Sequence, residues 1–458
     1  MTTDVPVVVA GAGAAGAVAA LRLAERGVPC ILIDASQVFP RSANVGMSAG
    51  MVPAAGSWLQ AHAGVTDSAT LFGGDIQRKA SGQAPTHLVA ALTGVSAHLV
   101  DWLAADVGLP LELVTDFVYP GHSVARCHAM PDRNGATLHA GLLDAARGEL
   151  TIDVVHPVRL AGVQQSPDEQ VICDLVTPDG RHDSVRTPAL LICSGGFGAD
   201  RDLVHRFIAG DAEALVYHGA EGSTGDAVRV AETLHLDTGF MDSFQGHGSL
   251  SQAGVPLTWA VMVHGGMLVN GVGQRYGNEM VGYSEFAAMT ASQPGAGAWA
   301  VFDDRIEQQL AKSHDFRVIT QSGQVLTADG ADALAARLGL DAGPLRDELD
   351  QVAAATETGS ADVWGRRWSQ PLGGRLRAVR VRGALFHTQG GIAVDDRARV
   401  LRAGEPVSGL YAAGGAATGL SGHGSAGYLA GNGLLSAMGL GMIAADDVAR
   451  NADGGPKE

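Results

Sequence analysis

Residues 5–16 read Val-Pro-Val-Val-Val-Ala-Gly-Ala-Gly-Ala-Ala-Gly, and a second apolar run, Cys30-Ile-Leu-Ile, ends on Asp34. No other stretch restricts the fold as strongly. An apolar strand enters Gly11-x-Gly13-x-x-Gly16, a helix-forming segment follows, and an acid closes the next strand. Gly11 permits the tight turn, Gly13 lets the backbone approach a pyrophosphate, and Gly16 lets helix and strand pack closely. Free N–H groups at the helix start suit phosphates, and Asp34 suits a ribose hydroxyl. The spacing predicts a βαβ unit holding a dinucleotide, with Ala14, Ala15, Ala35 and Ser36 beside the motif residues. An ordinary βαβ turn with glycines is the alternative.

A length of 458 residues suggests two or three domains. With 46% hydrophobic and 17% charged residues, the composition is that of a globular protein with a large core. The 63 glycines fall in short loops rather than repeats, which excludes collagen-like and low-complexity readings. A net charge of −17 without any Lys/Arg run argues against nucleic acid and anionic membranes as partners. The four cysteines, Cys30, Cys127, Cys173 and Cys193, have no metal-binding spacing, and the 16 histidines show no HExxH pattern, so no metal is expected. The first strand is entered by Val5, and no run reaches 18 uninterrupted apolar residues. These features predict a reduced, cytoplasmic protein without leader or membrane span.

Helical periodicity marks residues 84–107, 136–147 and 433–449, and strands are expected at 151–163, 170–176 and 190–193. The strand-and-glycine style lapses near residue 248, gives way to several helical stretches, and returns near 390. The expected fold is α/β (α+β overall): a Rossmann-like nucleotide-binding domain from residues 1–247 and 381–450, an inserted α+β cap over 248–380, and a disordered tail over 451–458.

Several blocks, in order, resemble the flavoprotein family of succinate dehydrogenase, fumarate reductase and 3-ketosteroid dehydrogenase. They are Gly11–Gly16 with Asp34, Arg41-Ser-Ala-Asn-Val-Gly-Met-Ser-Ala-Gly50, Ser194-Gly-Gly-Phe-Gly198, Ser223-Thr-Gly-Asp226, Gln245-Gly-His247, Gly273-Gln-Arg-Tyr-Gly-Asn-Glu279, His387-Thr-Gln-Gly-Gly391 and Gly409-Leu-Tyr-Ala-Ala-Gly414. The resemblance implies FAD, held between the nucleotide domain and a cap. It extends the expected cofactor contacts to Ser42, Ala43, Gly46, Met47, Ser48, Ala49, Gly50, Val158, Ser194, Gly195, Gly196, Gly225, Asp226, Gly414, Gly415, Gly431, Gly433, Leu434 and Leu435.

The departures narrow the chemistry. Ala43 stands where membrane succinate dehydrogenases carry a histidine bonded to FAD, which implies non-covalent FAD. Tyr283 stands where fumarate reductases carry a proton-donating arginine, and His423-Gly-Ser-Ala-Gly-Tyr428 lacks their substrate-binding arginine. Tyr428 and Tyr119 are similar to tyrosine positions of the ketosteroid and tricarballylate dehydrogenase branch. His247 and His387 match family histidines that touch a substrate carbonyl or carboxylate. Gly415 replaces the usual glutamate beside the ribityl chain.

Flavin N5 exchanges a hydride, so the protein must move a proton and polarise a neighbouring group. Tyr283 is the expected proton-transfer group; a tyrosine can act as base where neighbouring donors or positive charge lower its pKa from about 10. Tyr428, His387 and the backbone at Gly431–Gly433 would polarise the carbonyl, His247 would orient the substrate, and Tyr119 would donate or wall the site. The start of the last helix would aim its dipole at the flavin. Each of these tyrosines and histidines also has a bland reading as a packing residue. The expected function is desaturation α,β to a ketone or carboxylate of a small, possibly cyclic substrate, with a quinone, O2 or a protein as electron acceptor. Ene-reduction is the alternative, and a redox-silent structural FAD is another. A monomer or homodimer is expected.

Overall fold

The protein was analysed as a computed structural model describing residues 2–37, 43–208, 210 and 214–452. Val7–Ala10 is buried throughout and pairs in parallel with Cys30–Ile33 on one side and Ala189–Ile192 on the other. The full sheet has six strands in the order Arg399–Arg402, Glu405–Ala412, Ala189–Ile192, Val7–Ala10, Cys30–Ile33, Ile152–Val155. Only its first pair is antiparallel. Short, continuously apolar strands such as these need cover on both faces. Helix Ala14–Glu25 supplies part of that cover and packs on the final helix, Asn432–Ala452, where a Cβ on Gly441 would come within 2.5 Å of the Ala15 carbonyl. The final helix reaches Ala452, so the first two residues of the expected tail are helical, and 453–458 lie outside the described residues.

A second sheet is built on the 14-residue strand Arg375–Thr388. It pairs antiparallel with Phe244–Ser251, Ala298–Asp303 and Leu326–Asp329, and in parallel with Val216–Tyr217. The expected divisions at 247/248 and 380/381 therefore both fall inside strands of one sheet. Phe244–Ser251 is fully buried although it reads Phe-Gln-Gly-His-Gly-Ser-Leu-Ser. Helix Phe286–Ala291 lies so close that a Cβ on Gly246 or Gly248 would come within 2.4 Å of Ala287 or 2.5 Å of Phe286.

Among the described residues one helix, Thr86–Ala105, is long and apolar enough to cross a membrane. Half of that stretch is buried against the protein, where it packs on helices Ala69–Lys79 and Asn432–Ala452. All four cysteines are free and buried.

Candidate active site

A cavity of about 510 Å3 opens at the carboxyl ends of the parallel strands and runs to the second sheet. Ligands bind at this edge in open α/β sheets because successive loops diverge there. At one end Asp34 accepts the Ala12 and Ser36 N–H groups, both at 2.8 Å. Gly11 has φ +112°, and a Cβ there would come within 2.3 Å of the Cys193 carbonyl oxygen. A Cβ on Gly13 would meet only Ala43, at 3.9 Å, so its face toward the cavity is open. Helix Ala14–Glu25 begins there with no side-chain cap and no acid in its first turn, which leaves its leading N–H groups free for an anion. The Ser194 hydroxyl is buried without a partner. Val158 donates to the Asp34 carbonyl at 2.7 Å, and the adjacent Arg159 is held by Asp226 at 2.9 Å. An open glycine floor, a free helix terminus, a carboxylate and an orphaned hydroxyl together fit FAD.

Of the expected cofactor residues, Gly11, Gly13, Ala14, Ala15, Asp34, Ala35, Ser36, Ala43, Met47, Ser48, Ala49, Val158, Ser194, Gly195, Asp226, Gly414, Gly415, Gly431, Gly433 and Leu434 line the cavity. Gly16, Gly46, Gly50, Gly196, Gly225 and Leu435 do not line it. A Cβ on Gly16 would come within 1.9 Å of the Gly11 carbonyl, and one on Gly196 within 2.0 Å of the Thr388 hydroxyl, so these two serve packing. Gly225 starts helix Asp226–Leu234 with φ +82°. Ser42 lies outside the described residues. At Gly415 a Cβ would stand 2.8 Å from the Gly196 nitrogen, which explains why no larger residue occupies it.

The other end is lined by all five expected catalytic residues. Ring centroids lie 6.2 Å apart for Tyr119 and Tyr283, 6.0 Å for Tyr283 and Tyr428, and 5.7 Å for His387 and Tyr428. His247 stacks on Tyr283 at 4.9 Å. The two histidines come from adjacent strands of the second sheet, where Gln245 pairs with His387. Tyr283 follows the short helix Glu279–Val281 and Gly282, whose φ of +130° turns the chain inward. Tyr428 precedes the final helix, its oxygen accepts the Gly433 N–H at 3.2 Å, and its hydroxyl interacts with that of Tyr283. Gln389 donates to His387 Nδ1 at 2.9 Å while its oxygen accepts the Ser421 hydroxyl at 3.1 Å.

Burial sets the charge of this end. It lowers His247 to about 3 and His387 to about 4, so both are neutral donors or acceptors at pH 7. It raises the Tyr283 hydroxyl well above its usual value and Tyr428 to about 12, and Tyr119 also shifts upward. The lowering that would make a tyrosine a base is not supplied by the residues around Tyr283: loss of water raises its pKa, and Tyr428 and Tyr119 oppose a charge on it.

A buried ion network stands behind Tyr283. Glu279 binds Arg275 and Arg366, each at 2.7 Å, and accepts the Leu268 N–H at 3.1 Å. Its carbonyl accepts from the Trp259 indole at 2.9 Å, and Trp259 lines the cavity. His122, Arg126, His128 and His264 do not line it. Arg126 is buried between Asp67 and Asp75, and His128 contacts the Ser57 hydroxyl at 2.8 Å. Asn44 was missed as a lining residue although it lies inside a quoted motif; it bridges Ala220 and Ser223 at 2.7 and 3.3 Å. Ser313 and Asp315 line the cavity from a segment without any motif signal. No group of three metal-ligating side chains occurs among the described residues.

Comparison with known proteins agrees with this geometry. A family model described as FAD binding domain matches residues 6–434. "Fumarate reductase (cytochrome)" of Shewanella frigidimarina is 28% identical over 456 residues, covering 97% of this chain and 77% of that protein. A urocanate reductase of Eggerthella lenta is 23% identical, covering 90% of this chain and 70% of that one. An open flavocytochrome c3 fumarate reductase superposes with a TM-score of 0.78 at 25% identity, covering 98% of this chain and 79% of that one. The 3-ketosteroid-delta4-(5alpha)-dehydrogenase of Rhodococcus jostii RHA1 shares the fold, with a TM-score of 0.75, 21% identity and coverage of 98% and 97%.

Proposed function

Because the chain belongs to the FAD binding domain family and is a flavin oxidoreductase acting on CH–CH groups, we propose that it desaturates a small carbonyl compound α,β to the carbonyl. The observation that carries this reading is the hydroxyl of Tyr428. It accepts the Gly433 N–H at 3.2 Å, so its own proton points away from the helix start and can reach a substrate oxygen in the cavity that Tyr428 lines. Bound FAD supplies the hydride acceptor. Tyr428 and the neutral His387 donate to the carbonyl oxygen, and both bonds strengthen as that oxygen gains negative charge. This polarisation acidifies the α-carbon, whose proton passes to Tyr283 as Tyr283 hands its own proton to Tyr428 and Tyr428 hands its proton to the carbonyl oxygen; that last proton leaves to water when the β-hydride is lost. Stacked His247 holds Tyr283 in place, and Tyr119 closes the cavity beside it.

Arg159 is the one Arg or Lys among the described residues lining the cavity, and Asp226 holds it at the nucleotide end. That favours a single carbonyl over a dicarboxylate as the group recognised. Ala43 favours FAD held without a covalent bond. The division into a nucleotide domain (1–247 with 381–450) and an inserted cap (248–380), and a quinone, O2 or protein as electron acceptor, stay part of the proposal.

One observation favours a second reading. A tyrosine whose pKa is raised is protonated at pH 7 and ready to donate, which suits reduction of an activated C=C. Anaerobic mixing of the FAD-loaded protein with cyclohexanone, 2-decalone or succinate decides among these. Bleaching of the flavin band by a saturated ketone supports desaturation. Reoxidation of dithionite-reduced protein by an enone, without bleaching by the ketone, supports reduction. Neither change overturns both.

A further inference from the structure

The cavity wall opposite the nucleotide end carries a carboxylate that the chemistry above does not use. Asp315 sits in the first turn of helix His314–Gln321 and lines the cavity with Ser313. The helix is firmly seated. Ser313 caps it by accepting the Phe316 N–H at 3.4 Å, and Phe316 is buried against Phe302 at 5.7 Å. Phe302, Phe316 and Ile319 belong to the same apolar cluster as Tyr119 and Trp259, and Tyr283 packs on it. The helix that carries Asp315 is thus anchored in the same apolar cluster as Tyr119 and Trp259.

No counter-ion or hydrogen-bond donor among the described residues acts on this carboxylate, and burial alone raises its pKa to about 7. The other carboxylates lining the cavity are Asp34, Glu221 and Asp226. Asp34 is occupied by two N–H groups, Asp226 by Arg159, and Glu221 adjoins the Ala220 backbone bound by Asn44, all at the nucleotide end. Asp315 is half-buried, so its carboxylate is partly stripped of water, and a ligand donor in the cavity would offset that loss.

We propose that Asp315 is a specificity residue that accepts a hydrogen bond from a donor group of the substrate, a hydroxyl or an ammonium, on the part remote from the reacting carbonyl. This rests on the carbonyl-substrate reading above. It makes the substrate class a neutral or cationic carbonyl compound with a distal donor, and at a pH well above 7, where Asp315 is ionised and at which the titration below is run, it rejects a distal carboxylate by like-charge repulsion.

Calorimetric titration of the FAD-loaded protein with trans-2-decalone, its 6-hydroxy derivative and its 6-carboxy derivative tests this without needing turnover. The 6-hydroxy compound is expected to bind at least 5-fold tighter than the parent, and the 6-carboxy compound more weakly than either. Asp315→Leu should abolish the hydroxyl preference. Asp315→Asn, which keeps an acceptor oxygen, should keep part of that preference while admitting the carboxylate. A flat ranking in the natural protein, a ranking unchanged in Asp315→Leu, or tightest binding of the carboxylate overturns the inference. An Asp315-dependent ranking with a flavin that no ketone bleaches leaves it standing while the redox reading fails. Bleaching with a flat ranking does the reverse. No binding of any of the three overturns both.

Discussion

His387 is useful to catalysis only if its proton sits on the nitrogen facing the cavity. Gln389, anchored by Ser421, donates to Nδ1 at 2.9 Å, a shorter contact than the 3.4 Å from Nδ1 to the Thr388 carbonyl, and so favours the proton on Nε2. A Cβ on Gly433 would lie 3.1 Å from that Nε2, which places it beside the helix start that also serves Tyr428. Gln389→Leu removes this donor. Nitrogen NMR of histidine-labelled protein, with His387 assigned from His387→Asn, should show the Nε2–H form in the natural protein and a mixture of tautomers in Gln389→Leu. An unchanged signal would show that Gln389 does not set the tautomer. At this scale the sequence was legible where chemistry leaves few choices. Tyr119, Tyr283, Tyr428, His247 and His387 all line one end of the cavity. Gln389 was not singled out, although it lies in a quoted motif, because its role depends on a partner 32 residues away. The direction of the tyrosine pKa shifts is not legible in the sequence, because burial cannot be read from a glycine-rich context.

The turn Glu279–Gly282 is an element whose shape depends on charge. Glu279 is fully buried and ties Arg275, Arg366 and the Leu268 backbone together, while its own carbonyl holds Trp259. Glu279→Ala would leave two buried guanidinium groups without this partner, at a cost of about 3–5 kcal/mol. Urea unfolding should register that loss, and flavin reduction should slow because Tyr283 follows directly. A loss below 1 kcal/mol would contradict this account of the turn. The βαβ opening was legible because the apolar strands, glycine spacing and acid agree. The second sheet was not, because Phe244–Ser251 alternates small and polar residues while being buried on both faces. Its glycines reflect a helix packed against it rather than a loop.

For the whole molecule, acid is the sensitive variable. Burial holds His122 and His128 to about 4, His247 to about 3 and His387 to about 4. Between pH 6.5 and 4 the unfolded chain binds protons at these sites and the folded chain does not. Stability therefore falls as pH drops through this window, by at most ~1.4 kcal/mol per pH unit for each histidine. Relief of the −17 net charge and protonation of Asp315, with its pKa of about 7, act in the opposite direction but are outweighed by four histidines, so the sign is informative. Urea midpoints of the FAD-loaded protein should fall from pH 7 to pH 5. A midpoint that rises or stays level would contradict the buried neutral histidines.

The central claim is that a carbonyl oxygen is held by Tyr428, and single-turnover flavin reduction tests it most directly. A saturated cyclic ketone that reduces the natural protein without oxygen should reduce Tyr428→Phe about 10²–10³-fold more slowly, with FAD still bound, while succinate bleaches neither. Equal rates in the two proteins, or bleaching by succinate, would contradict it.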